Sequence, residues 1–183
     1  TSFFEANAGA DDLEAYHELE VRGQMTARVV VAQSLDEVSA LLERRQRLAG
    51  PLVHPDAVKI FLDGVVEART AALLRPYQGS QDKGTLLQSP ERLQQLTSGL
   101  AGAGLQIHVH AIGDRAVRTA LDALQHSPGH DLRHTIAHLQ LVDADDIPRF
   151  RQLGVVANIQ GLWAQADEYI LKLSNPVLGP ERA

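Results

Sequence analysis

The sequence of 183 residues predicts an α/β fold, and within that class an incomplete (β/α)8 barrel of the TIM type. Three observations carry the prediction. Six apolar, β-branched runs alternate with five segments of helical period, an order that makes every strand parallel and every crossover right-handed. Polar residues gather where those strands end, at Glu5, Lys59 with Asp63, His110, His138 and Gln160, as they do around the mouth of a barrel. The first strand is not followed by a G-x-G-x-x-G turn, which weighs against a doubly wound, dinucleotide-binding sheet.

The elements follow in order. Ser2 to Glu5 is a short apolar strand, and after a polar break Asp11 and Glu14 have the spacing of a capping box for a helix that runs to about Gly23. Ala27 to Ala32 is β-branched and short, a buried strand. Ser34 with Glu37 repeats the cap, and Val38, Leu41, Leu42 and Leu48 place an apolar stripe on a helix that stops near Gly50-Pro51. Val58 to Leu62 is the third strand. The stretch from Asp63 to Ser89 is irregular and long enough to predict a functional loop. Ser89-Pro90 opens a helix with Pro in its first turn. Leu105 to His110 is the fourth strand, Gly113-Asp114 starts the helix behind it, and Leu132 to His138 is the fifth strand. Asp143 and Asp146 cap another helix, Val155 to Ile159 is the sixth strand, and residues 161–183 show no clean period.

Composition narrows the function. The formal charge is −6 with Lys and Arg scattered, so no basic patch awaits a phosphate backbone and nucleic acid is not an expected partner. No apolar run is long enough for a membrane span and no secretory leader is visible, so a cytoplasmic protein without a membrane partner is the expectation. There are no cysteines, so any metal must be held by His, carboxylate or a less usual ligand. The chain opens on Thr1 without an initiator Met and already inside a strand, as a fragment would.

Two histidine pairs, His108 with His110 and His134 with His138, lie at even spacing on two strands, so each pair shares a face. A single such histidine is most often a hydrogen-bonded core residue; two pairs on neighbouring strands point to a metal centre, since neutral imidazole is the commonest protein metal ligand. Lys59 interrupts an apolar run, where a lysine is rarely buried without a partner. An ion pair with Asp63 or Glu67, a Schiff-base nucleophile, or a neutral amine that has taken up carbon dioxide would each explain it. Asp114 either caps its helix or holds a ligand histidine in the right tautomer. Trp163 and Tyr77 either line a pocket mouth or cover the core.

Val58-Lys59-Ile60-Phe61-Leu62-Asp63-Gly64, followed by Thr70-Ala71, Pro76-Tyr77, His110-Ala111-Ile112-Gly113-Asp114-Arg115-Ala116, and Arg133-His134 with His138, resembles amidohydrolase family 3, the group of metal-dependent hydrolases that includes N-substituted formamide deformylases. The resemblance spans nearly the whole chain. It implies a distorted (β/α)8 barrel of the metal-dependent hydrolase kind, with one or two divalent ions at its C-terminal mouth, zinc first among them. It also implies that Ser2 to Glu5 is the second barrel strand and Val155 to Gln160 the seventh, that Lys59 is the carboxylated, metal-bridging lysine of the fourth, and that His110 and His138 are the metal ligands of the fifth and sixth. The first-strand His-x-His pair and the eighth-strand aspartate of the family have no counterpart here, so residues 1–183 are expected to be a single catalytic-barrel domain holding strands two to seven. Ala137 stands where Glu is frequent and Gly161 where Pro is frequent.

The implied reaction is hydrolysis of a non-peptide, amide-like carbon–nitrogen bond in a small molecule by a metal-activated water. His134 would face the substrate carbonyl or make a core hydrogen bond, and Asp114 would act from behind the ligands. The alternative is a catalytically inactive barrel fragment that serves as a structural module and self-associates through unpaired strand edges.

Overall fold

A computed structural model describes residues 1–179, 181 and 182. Among them six strands form a single parallel sheet in the order β1 (Ser2–Ala8), β2 (Arg28–Ser34), β3 (Val53–Phe61), β4 (Gln106–Ala111), β5 (Thr135–His138) and β6 (Val156–Ile159). The crossovers carry α1 (Ala10–Val21), α2 (Val38–Leu48), α3 (Pro90–Gly102), α4 (Asp114–Gln125) and α5 (Ile147–Leu153), and the chain closes with a short helix, α6 (Asn175–Leu178). No helix among the described residues is long and apolar enough to cross a membrane.

The sheet is curled. Phe4 of β1 stacks on His108 of β4 with ring centroids 4.7 Å apart, although three interstrand steps would separate those strands by about 14 Å in a flat sheet. The result is a half-barrel with a concave and a convex face. On the convex face Val58, Ile60, Ile107, Val109 and Ile136 meet Leu13, Leu41, Leu93, Val117 and Leu121 of the helices, all fully or almost fully buried. The opposite parity puts Lys59, His108 and Thr135 side by side on the concave face, as the registers Lys59↔His108 and His108↔Thr135 require. The concave face encloses a cavity of about 540 Å³ lined by Phe4, Val30, His108, Thr135 and Asn158.

Several boundaries differ from the sequence expectation. β3 begins at Val53, five positions earlier, because Pro55 is accommodated at a bulge: the register runs Val30↔His54 and then Ala32↔Ala57, one extra residue on β3 where Pro offers no N–H. β5 begins only at Thr135, since Arg133 adopts a left-handed φ of 56° and turns the chain before pairing starts. The cap of α1 is Gly9, whose N–H donates to Asp12 Oδ2 at 2.9 Å, rather than the Asp11 and Glu14 pair. Ser34 precedes one 3-10 turn (Leu35–Glu37) before α2 begins. Ser89 caps α3 as its sequence predicts, with Oγ accepting from Arg92 N–H at 3.2 Å.

Candidate metal centre

Lys59 lies on the concave face near the C-terminal end of β3 and is 4% exposed. Burial pushes its ammonium down to about 8. No ion pair reaches it among the described residues; its cationic contact is the Phe61 ring, 4.9 Å from Nζ to centroid. The two carboxylates that sequence offers as partners are engaged elsewhere: Asp63 with backbone N–H groups, and Glu67 with Ser174 Oγ at 3.2 Å.

His110 and His138 come from the ends of neighbouring strands, and their rings meet with centroids 4.4 Å apart. His110 Nε2 lies 3.2 Å from the Gly64 carbonyl and 3.5 Å from Asp63 Oδ1. His138 Nδ1 lies 2.6 Å from Gln160 Oε1. Each acceptor claims one ring N–H, so the neutral rings keep lone pairs on His110 Nδ1 and His138 Nε2. Burial pushes the His110 imidazole down to about 4, partly opposed by the Gly64 bond, and burial also lowers His138. Both rings are therefore neutral at pH 7, the state a metal ligand requires. His108, one layer below and 2% exposed, is pushed down to about 3 by burial and next by the Lys59 charge, and its buried Nδ1 has no hydrogen-bond partner.

No three His, Cys, Asp or Glu side chains converge as a finished cage among the described residues. The donor set is two neutral imidazoles, with a buried lysine whose ammonium form still predominates at pH 7, and the imidazoles fit one side of a centre for a borderline divalent cation, with further ligands required. The orienting contacts to Gly64 and Gln160 are the outer-shell bonds that ligand histidines usually carry.

Asp63 holds this arrangement together. Its carboxylate accepts from Ala72 N–H (2.9 Å), Ile112 N–H (3.0 Å) and Gly113 N–H (2.9 Å), tying the loop after β3 to the turn between β4 and α4. Burial pushes its carboxyl up to about 6 against the pull of those three donors. Asp114 tightens the same joint by accepting from Leu74 N–H at 2.8 Å, and from Arg115 N–H, rather than reaching a histidine. Tyr77 is buried with its hydroxyl donating to Ala71 O at 2.8 Å, so it belongs to the packed underside of the loop. The predicted loop of residues 63–89 is thus nailed to the mouth.

His134 does not join the pair. It precedes β5 on the opposite parity from Thr135, and its Nδ1 accepts from Ile107 N–H at 3.1 Å. Glu5 also points away, toward α1, where its Oε2 accepts from Tyr16 at 3.3 Å. Trp163 stacks on His138 with centroids 5.7 Å apart. Sequence reasoning missed the anchoring function of Asp63 and the bond from Gln160; the only signal was their position just past strand ends.

A model of the amidohydrolase family matches residues 5–183. The chain is 33% identical over 127 residues to the putative amidohydrolase YtcJ of Bacillus subtilis, covering 68% of this chain and 24% of that protein. It is 33% identical over 133 residues to the protein LONG AFTER FAR-RED 3 of Arabidopsis thaliana, covering 69% of this chain and 22% of that one. A crystal structure of an uncharacterized metal-dependent hydrolase from Pyrococcus furiosus superposes with a TM-score of 0.77 at 29% identity, covering 99% of this chain and 37% of that one. A Pyrococcus horikoshii metal-dependent hydrolase behaves alike, at a TM-score of 0.76 and 28% identity. The chain thus spans about a quarter of the curated relatives and little more than a third of the solved ones.

Proposed function

The chain belongs to the amidohydrolase family, and from that premise we propose that it supplies one side of a divalent-metal centre that hydrolyses an amide-like, non-peptide carbon–nitrogen bond in a small molecule. The observation that carries the proposal is the meeting of His110 and His138, with rings 4.4 Å apart, beside a buried Lys59 that has no ion pair among the described residues. His110 Nδ1, His138 Nε2 and Lys59 are the proposed ligands.

A bound divalent cation, zinc in the first place and one or two in number, would lower the pKa of water toward about 7 and polarise a carbonyl oxygen. The chain's own part is to keep two imidazoles neutral by burial, and to hold them through Gly64 and Gln160. Burial also favours the free amine of Lys59. That amine can attack carbon dioxide, forming an N–C bond and releasing one proton to solvent, and the resulting carbamate would offer two oxygens sharing one negative charge where no carboxylate of the described residues pairs with Lys59. In this reading β1 to β6 stand as the second to seventh strands of the family barrel, in a cytoplasmic enzyme. His134 is left with a hydrogen bond in the core, and Asp114 with the joint between loop and helix.

The test is metal content of the dialysed chain by mass spectrometry, in the wild type and in His110→Ala, His138→Ala and Lys59→Met. The proposal expects stoichiometric zinc or a similar ion in the wild type and depletion in each variant. Equal metal in all four would refute it. A second reading, a self-associating module without catalysis, is favoured by the exposed apolar residues at the sheet edges, Phe3 at 43% and Ile159 at 68% exposed. Sedimentation that shows a monomer at micromolar concentration would count against that reading.

A further inference from the structure

Gln160 follows β6 directly and meets His138 from the side. The 2.6 Å contact between its Oε1 and His138 Nδ1 has company in the same turn: Trp163 rests on the His138 ring with planes 26° apart, and Trp163 N–H donates to the Gln160 carbonyl at 3.0 Å. One short 3-10 turn, Gly161–Ala164, therefore holds the edge of the imidazole through the residue that caps it and the face through its tryptophan. His138 needs such support. Its φ of 81° and that of Leu139, 53°, both lie in the left-handed region, which disfavours residues other than glycine and persists only where the surroundings over-determine it.

An amide oxygen can only accept. Facing Nδ1, it selects the tautomer with hydrogen on Nδ1 and the lone pair on Nε2. A neutral histidine in water prefers the reverse, with hydrogen on Nε2, so an unassisted His138 would carry its proton on the nitrogen that has to be empty.

We propose that Gln160 is a positioning residue that locks His138 in its Nδ1–H tautomer and thereby presents Nε2 to a divalent cation. The second half rests on the metal-centre reading above; the first half is a property of the metal-free chain. Trp163 keeps the ring in the plane that Gln160 can reach. Removing an orienting bond of this kind weakens metal binding by about 10- to 100-fold.

The experiment is two-bond ¹H–¹⁵N correlation spectroscopy on the metal-free chain labelled at histidine, at pH 8, with the His138→Ala spectrum assigning the resonances. The wild type is expected to show His138 as the Nδ1–H form, Gln160→Leu to move it toward the Nε2–H form, and Gln160→Glu, which retains an acceptor, to keep it. Zinc affinity by competition with a chromophoric chelator should fall about 10- to 100-fold in Gln160→Leu and hold in Gln160→Glu. A wild-type His138 with hydrogen on Nε2 would mean that the amide nitrogen faces the ring and would overturn the proposal. So would a Gln160→Leu chain whose amide spectrum shows it folded and whose His138 tautomer is unchanged. A tautomer that shifts as expected in Gln160→Leu, while the wild-type chain takes up no zinc, would support the lock and sink the metal-centre reading together with the second half of the proposal.

Discussion

Replacing Asp63 by Ala strips the acceptor from three backbone N–H groups at once, those of Ala72, Ile112 and Gly113. Ala72 is 0% and Ile112 2% exposed, so solvent reaches these donors only through the space the carboxylate leaves. A buried donor deprived of its partner costs about 1–3 kcal/mol. Water entering the vacated space holds the three together to the low end, so the expected loss is about 3–5 kcal/mol, a large part of the ~5–15 kcal/mol that stabilises a typical domain. Asp63→Asn makes the reasoning sharper. Oδ2 accepts two of the bonds and Oδ1 one, so an asparagine oxygen in the Oδ2 position keeps two and turns its NH₂ toward Ile112 N–H, for a loss of about 1–3 kcal/mol. Because burial disfavours the carboxylate itself, removing it costs more than its net contribution to the wild type. Urea unfolding with linear extrapolation measures both variants. A loss below about 1 kcal/mol in Asp63→Ala, or equal losses in the two variants, would refute the accounting.

Two further outcomes are expected. His108 and His110 titrate near 3 and 4 in the folded chain against 6.5 ordinarily, so between roughly pH 4 and 6 the unfolded chain binds two more protons at these sites and stability falls as pH drops; Asp63, near 6 against 3.8, opposes them by one. His108→Phe should therefore flatten unfolding free energy against pH in that window by about one proton, ~1.4 kcal/mol per pH unit, and an unchanged slope in urea titrations would contradict the burial argument. Gly113→Ala drives a Cβ into the Ala72 carbonyl, which also accepts from Arg115 and Ala116 N–H; a loss of about 1–3 kcal/mol with faster proteolysis inside residues 63–89 is expected, and a wild-type melting temperature with wild-type proteolysis would show that the joint yields freely.

The alternation of strands and helices was legible because each element carries its own period: Val58 to Leu62 and Ile107 with Val109 announce strands, and Ala116, Val117, Ala120, Leu121 and Leu124 announce the face of α4 that the structure buries. Where a local signal conflicted with tertiary pairing, the reading slipped. Pro55 hid the first half of β3, since a breaker cannot be told from a bulge until the partner strand is placed. Asp11 with Glu14 matched a cap pattern that Gly9 and Asp12 fill.

Periodicity and residue type alone determined the α/β class, the parallel order and the placing of Lys59, His110 and His138 at or near strand ends, together with Glu5, Asp63 and Gln160, because these depend on neighbours a few positions away in the chain; the choice of the first three as metal ligands rests on the family resemblance. Only the tertiary structure decided how those residues are served. That Asp63 is spent on backbone donors and not on Lys59, that Gly64 and Gln160 take opposite nitrogens of two facing histidines, and that His134 turns to Ile107 are contacts across 9 to 50 residues of sequence. Spacing along one strand carries no information about such contacts, because a polar side chain takes whichever partner the curl of the sheet brings within hydrogen-bonding distance.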